Sequence, residues 1–167
     1  MKRYFLFAAL ALAFPGSLLA FKNEPTGFRG VEWGSAIADA PQLNVVETSG
    51  TTVVAEETEA KMSIGGAQLG QLSYIFVDGR FTGAMVGTIG LANNQAMLDA
   101  MKAQFGEPIR PNQFMDKYFW KGKTTTIGMT CERTLERQCQ TYFASTRQFA
   151  DQSRENARKA QEAGKDF

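Results

Sequence analysis

Leu72-Ser73-Tyr74-Ile75-Phe76-Val77-Asp78-Gly79-Arg80-Phe81-Thr82-Gly83-Ala84-Met85-Val86 is two β-rich runs around Asp-Gly. That pair is preferred in a two-residue type I′ turn, where both central residues take positive φ. Pairing Val77 with Arg80 sets Phe76 opposite Phe81, Tyr74 opposite Gly83 and Leu72 opposite Met85, all on one side of the ribbon. That side is almost wholly apolar and is expected to face a core. Ser73, Ile75, Thr82 and Ala84 then form the reverse.

Working outward, Leu43 to Thr48 and Thr51 to Thr58 read as two more strands joined by Ser49-Gly50. Phe28 to Val31 reads as a short strand, followed by a short helix from Ala36 to Ala40 with Ser35 as N-cap and Pro41 as terminator. Glu56, Glu57, Glu59 and Lys61, followed by Gly65-Gly66, mark a polar surface loop. Beyond the hairpin, Asn93 can cap a helix from about Asn94 to Phe105, with Met97, Leu98, Met101 and Phe105 spaced for one buried face. Gly106 and Pro108 end it.

Lys117 to Lys121 and Thr124 to Cys131 form a second hairpin around Gly122-Lys123, and Cys139 to Ser145 adds a strand. Arg147 to Ala163 reads as a charged helix with a thin stripe of Phe149, Ala157 and Ala160. The expectation is an α+β fold: an antiparallel sheet of about seven or eight strands, two short-to-medium helices and a C-terminal surface helix. The element order suggests two related halves, although no sequence identity between them is visible.

Lys2 and Arg3 precede an apolar run from Tyr4 to Ala13, then Pro15-Gly16 and a small residue at Ala20. This is the pattern of a secretory signal peptide over residues 1–20, too short for the ~20 apolar residues of a membrane span. Cleavage leaves residues 21–167 as a single domain with no stable membrane anchor, periplasmic or secreted. Losing Lys2 and Arg3 turns the formal charge of +1 slightly negative, and no basic block remains, so nucleic acid is not an expected partner.

In that compartment Cys131 and Cys139, the only cysteines, are expected to form a disulfide. Closing so small a ring is worth about 2.5 kcal/mol of chain entropy. If the two cysteines are opposed, Met129 faces Thr141 and Ile127 faces Phe143 on the core side. Gly128 then faces Tyr142 and Thr126 faces Ala144 on the other side. The Gly122-Lys123 turn adds Phe119 beside Thr126 to that second side, with Tyr118 and Trp120 in the core. Phe119 and Tyr142 thus form an aromatic platform, either covered by the last helix through Phe149 and its alanines or open to a ligand or partner.

The chain has no histidine, which removes the usual general base at neutral pH, Ser-His-Asp triads, Cys-His dyads and most zinc hydrolase sites. Two thiols alone do not build a tetrahedral zinc site, and no phosphate-binding or nucleophile-elbow motif is present. No cofactor, metal or catalytic residue is assigned. Carboxylate-dependent hydrolysis stays open through Glu32, Asp39, Glu57, Asp78 and Asp116, which sequence cannot pair. Trp33 and Trp120 sit in alternating apolar segments and are expected in the core. Arg110, held between prolines in Ile109 to Gln113, is a surface candidate offering a planar donor.

Phe28-Arg29-Gly30-Val31-Glu32-Trp33-Gly34, Phe105-Gly106-Glu107-Pro108 and Tyr118-Phe119-Trp120-Lys121-Gly122-Lys123 resemble small exported proteins of unknown function from Gram-negative bacteria. The element order is also loosely similar to envelope modules of the β-lactamase-inhibitor-protein type. That layout implies a sheet packed on helices that works by binding proteins. The resulting expectation is a non-catalytic periplasmic binding or adaptor protein acting on an envelope protein through the aromatic sheet face. The alternative is a binder of a small apolar ligand in a pocket lined by Phe119 and Tyr142.

Overall fold

The computed structural model describes residues 21–163, so the leader expected over residues 1–20 lies outside it. In chain order the elements are β1 (Gly27–Phe28), β2 (Val31–Glu32), a 3-10 turn (Ile37–Asp39), β3 (Leu43–Ser49) and β4 (Thr52–Glu57). Then come β5 (Ser63–Ile64), β6 (Ala67–Gln68), β7 (Gln71–Val77), β8 (Arg80–Ile89), α1 (Leu91–Phe105), β9 (Lys117–Lys121), β10 (Thr125–Cys131), β11 (Gln138–Ser145) and α2 (Thr146–Ala163). Seven strands make one antiparallel sheet in the order β3-β4-β7-β8-β11-β10-β9, which is the α+β architecture read from the sequence. The meander β3-β4-β7-β8 and the meander β9-β10-β11 meet where β8 pairs with β11.

The Asp-Gly hairpin pairs Val77 with Arg80 and Phe76 with Phe81 as expected. Its register then slips, because Thr82 is an inserted residue whose hydroxyl donates to the Ile75 carbonyl at 3.1 Å. Tyr74 therefore faces Ala84 instead of Gly83, and Leu72 faces Val86 instead of Met85. The core gains Ala84 and Val86, while Gly83 and Met85 move to the reverse. The reason lies on the neighbouring strand. A Cβ at Gly83 would stand 2.8 Å from the Tyr142 hydroxyl oxygen, so that ring needs glycine on the side where it lies.

Several local readings are corrected. Phe28 to Val31 is a miniature hairpin rather than one strand, since Arg29 and Gly30 both take positive φ, +47° and +81°. The 3-10 turn is capped at Ala36 rather than Ser35, and the Asp39 carboxylate accepts the Ala36 N–H at 3.0 Å. The Gly65-Gly66 loop contains the β5–β6 hairpin, whose turn at Gly65 comes so close to α1 that an added Cβ would lie 2.7 Å from that of Ala100. Helix α1 begins before Asn94 because Gly90 (φ +89°) serves as N-cap. Asn93 instead joins neighbours, donating to the Ile89 carbonyl and accepting from the Gln68 N–H.

The core lies on one side of the sheet. Met97, Leu98, Met101 and Phe105 from α1 meet Leu72, Tyr74, Phe76, Phe81, Ile127, Met129 and Phe143, all buried. Trp120 is buried there with its Nε1–H on the Gly106 carbonyl at 2.7 Å, and Trp33 stacks on Phe81 with its Nε1–H on Thr125 Oγ1. The β1–β2 hairpin and the segment from Phe21 complete that layer, with Phe21 edge-on to Phe105 and Lys22 N–H on the Phe105 carbonyl. Among the described residues, no helix is long and apolar enough to cross a membrane.

Candidate functional site: the second face of the sheet

Strand alternation places opposite this core a row running Phe119, Gly128, Tyr142, Met85 and Ser73 across five strands. Phe119 stands beside Gly128, two residues along from the Thr126 partner expected, because Lys121 pairs with Thr126 and the connecting loop is longer than a two-residue turn. Its face is the one expected. The Phe119 ring lies over Gly128, where an added Cβ would be 3.4 Å away. Tyr142 leans the other way, over Gly83. Two glycines thus let two rings lie flat on the backbone instead of standing away from it.

A parallel row of Ala144, Gly83, Ile75 and Val54 extends the apolar surface toward β4. Phe119, Tyr142, Met85, Ile75 and Val54 are all half-buried, whereas Ala144, Ser73 and Thr126 beneath them are buried. Burial pushes the Tyr142 hydroxyl up from its ordinary titration range, so it stays neutral. On this face Lys117 and Lys121 flank Phe119 at the β9 edge, an apolar centre with a cationic margin.

Helix α2 starts beside this surface. Thr146 Oγ1 is 3.2 Å from Thr126 Oγ1 and donates to the Gly122 carbonyl, and Ser145 Oγ accepts the Gln148 N–H. Ala157 and Ala160, expected to help cover the aromatic face, are exposed instead, and the side chain of Phe149 lies outside the described residues. The distal turns are held by their own ion pairs, Arg158 with Glu155 and Glu162, and Lys159 with Glu155.

Arg110 does not join Phe119 and Tyr142. Its guanidinium sits 5.3 Å from the centre of the Tyr118 ring, and Tyr118 points to the core side. It shares Asp116 with Arg133 at 3.1 and 3.4 Å, tying the loop before β9 to the loop after β10. Cys131 and Cys139 form a disulfide directly across β10 and β11, with Cα atoms 4.0 Å apart. The carboxylates singled out as acids have separate surroundings. Glu57 accepts from Tyr74 and lies 3.8 Å from Arg29, Asp116 holds the two arginines, Asp39 caps the 3-10 turn, and Glu32 and Asp78 are exposed.

A cleft on the other side of the molecule has no signal in the sequence. Some 390 Å³ opens between the β1–β2 hairpin, the β5–β6 turn and the last turns of α1. Its walls are mainly Phe28, Ile64, Met101, Phe105 and Phe143, with Arg29 and Gln104 also lining it. These residues are distant in sequence and come together only through the tertiary fold. No protein-family model matches the chain, and searches of curated proteins and of solved structures return no match.

Proposed function

We propose that the chain is a non-catalytic binding protein of the periplasm, or of the secreted fraction, that holds an envelope protein against the second face of its sheet. The observation that carries this reading is the Phe119–Gly128–Tyr142–Met85 row: two rings, each lying over a glycine, and a half-buried thioether, in register on strands fixed by a full antiparallel ladder. Rigid aromatic groups lose little entropy on binding, and an apolar centre with a charged margin is the anatomy of a protein interface. Export is supported by the leader-like residues 1–20 and by the disulfide.

The test is site-specific photo-crosslinking in the envelope of cells making the full chain, with the photoreactive residue at position 119, at 85, or at Asp78 as a control outside the face. One discrete adduct from 119 and 85, absent from 78, is expected. Equal adducts at all three positions, or none at 119 and 85, overturn the proposal.

A further inference from the structure

We infer that the cleft beneath the β1–β2 hairpin is a second binding site, independent of the sheet face, that takes the apolar tail of a small anionic amphiphile. Its 390 Å³ falls in the range of small-molecule sites, and its walls are largely aromatic and aliphatic. The floor is firm: Phe105, Met101, Phe28 and Phe143 are members of the buried core, and Phe28 packs on Phe143 with ring centres 4.7 Å apart.

Charge complementarity selects the head group. Among the described residues, Arg29 is the charged one in the cleft lining. It is placed by its own strained turn (φ +47°) and by donation from Nη2 to the Ser63 carbonyl at 2.9 Å. Among the described residues its ion-pair partner is Glu57, which lies 3.8 Å from Nη1, beyond hydrogen-bond range, and already accepts from Tyr74 at 3.1 Å. The Arg29 guanidinium therefore keeps donors for a carboxylate or phosphate oxygen at the head of a ligand whose tail fills the cleft. Glu57 competes for the same cation. A neutral apolar ligand leaves that cation unused, and a polar ion without a tail leaves the apolar wall wet.

The experiment is calorimetric titration of the mature chain with decanoate and, separately, with decanol. Decanoate is expected to bind saturably and decanol at least about tenfold more weakly, the scale of one charge-assisted contact. Arg29→Gln should weaken decanoate by about tenfold while leaving decanol unchanged. Glu57→Gln should tighten decanoate, an effect that mere loss of a structural ion pair does not produce. Gln104→Trp, at a helix position whose side chain lines the cleft, should block both ligands with the circular dichroism spectrum unchanged. Competition by phosphatidylglycerol vesicles assigns the tail to a membrane lipid, and its absence assigns it to a free acid. Equal affinity for decanoate and decanol, an Arg29→Gln chain that binds decanoate normally, or no saturable binding overturns the inference. None of these results bears on crosslinking at the sheet face, so the two proposals stand or fall separately.

Discussion

Glu24 shows how one side chain ties distant segments together. Its Oε1 accepts the Thr124 N–H at 2.6 Å, the Thr125 N–H at 2.8 Å and the Thr124 hydroxyl at 2.8 Å, fixing the chain's early residues to the β9–β10 loop. Burial by itself raises this carboxyl, but the hydrogen bonds from Thr125, Thr124 and Lys123 outweigh it and hold Glu24 below its ordinary value of 4.5. A depressed folded value means the latch contributes fully above the unfolded value and is lost as pH falls through the folded one. Glu24→Gln should cost about 1 kcal/mol in urea unfolding at pH 7, and should flatten the loss of stability expected of the parent chain as pH falls below 4.5. Gly83 acts by what it lacks. Gly83→Ala places a methyl 2.8 Å from the Tyr142 hydroxyl and 2.9 Å from the Phe143 carbonyl, and should destabilise by about 1–3 kcal/mol in the same assay.

At the scale of elements, the β10–β11 pairing followed from one assumption, that Cys131 opposes Cys139. Every further pair, from Met129 with Thr141 to Thr126 with Ala144, then stood in the expected register. Reducing that disulfide should lower the unfolding free energy by about 2.5 kcal/mol, measured with and without reductant. The β7–β8 hairpin was legible only as far as Phe76 and Phe81. Its bulge answers to Tyr142, a residue far along the chain, and alternation within the hairpin carries no trace of that ring. The β1–β2 turn was hidden for a different reason: arginine at a positive φ is not a turn signal, whereas Asp78-Gly79 is. The bulge sets a sharp contrast between adjacent positions. Met85→Arg should change stability by less than about 1 kcal/mol, while Val86→Arg, burying an unpaired charge, should cost more than about 3 kcal/mol. Comparable losses at both positions would contradict the observed register.

Over the whole molecule, the sheet divides the chain's chemistry in two. One side spends its aromatic residues on a core shared with α1, and the tertiary cleft with Arg29 opens at the margin of that core. Sequence reading found the other side, because alternation from the disulfide places Phe119 and Tyr142 together. It missed the cleft, whose walls come from separate hairpins and a helix, and it offered Arg110 as a surface candidate with a planar donor, a guanidinium that the fold pairs with Asp116 and sets over Tyr118. The central claim is that the second face is built to hold another protein. It is tested most directly by the adduct yield from a photoreactive residue at position 119 in a chain that also carries Met85→Arg. The account predicts that the adduct disappears while the fold persists; an adduct of undiminished yield contradicts it.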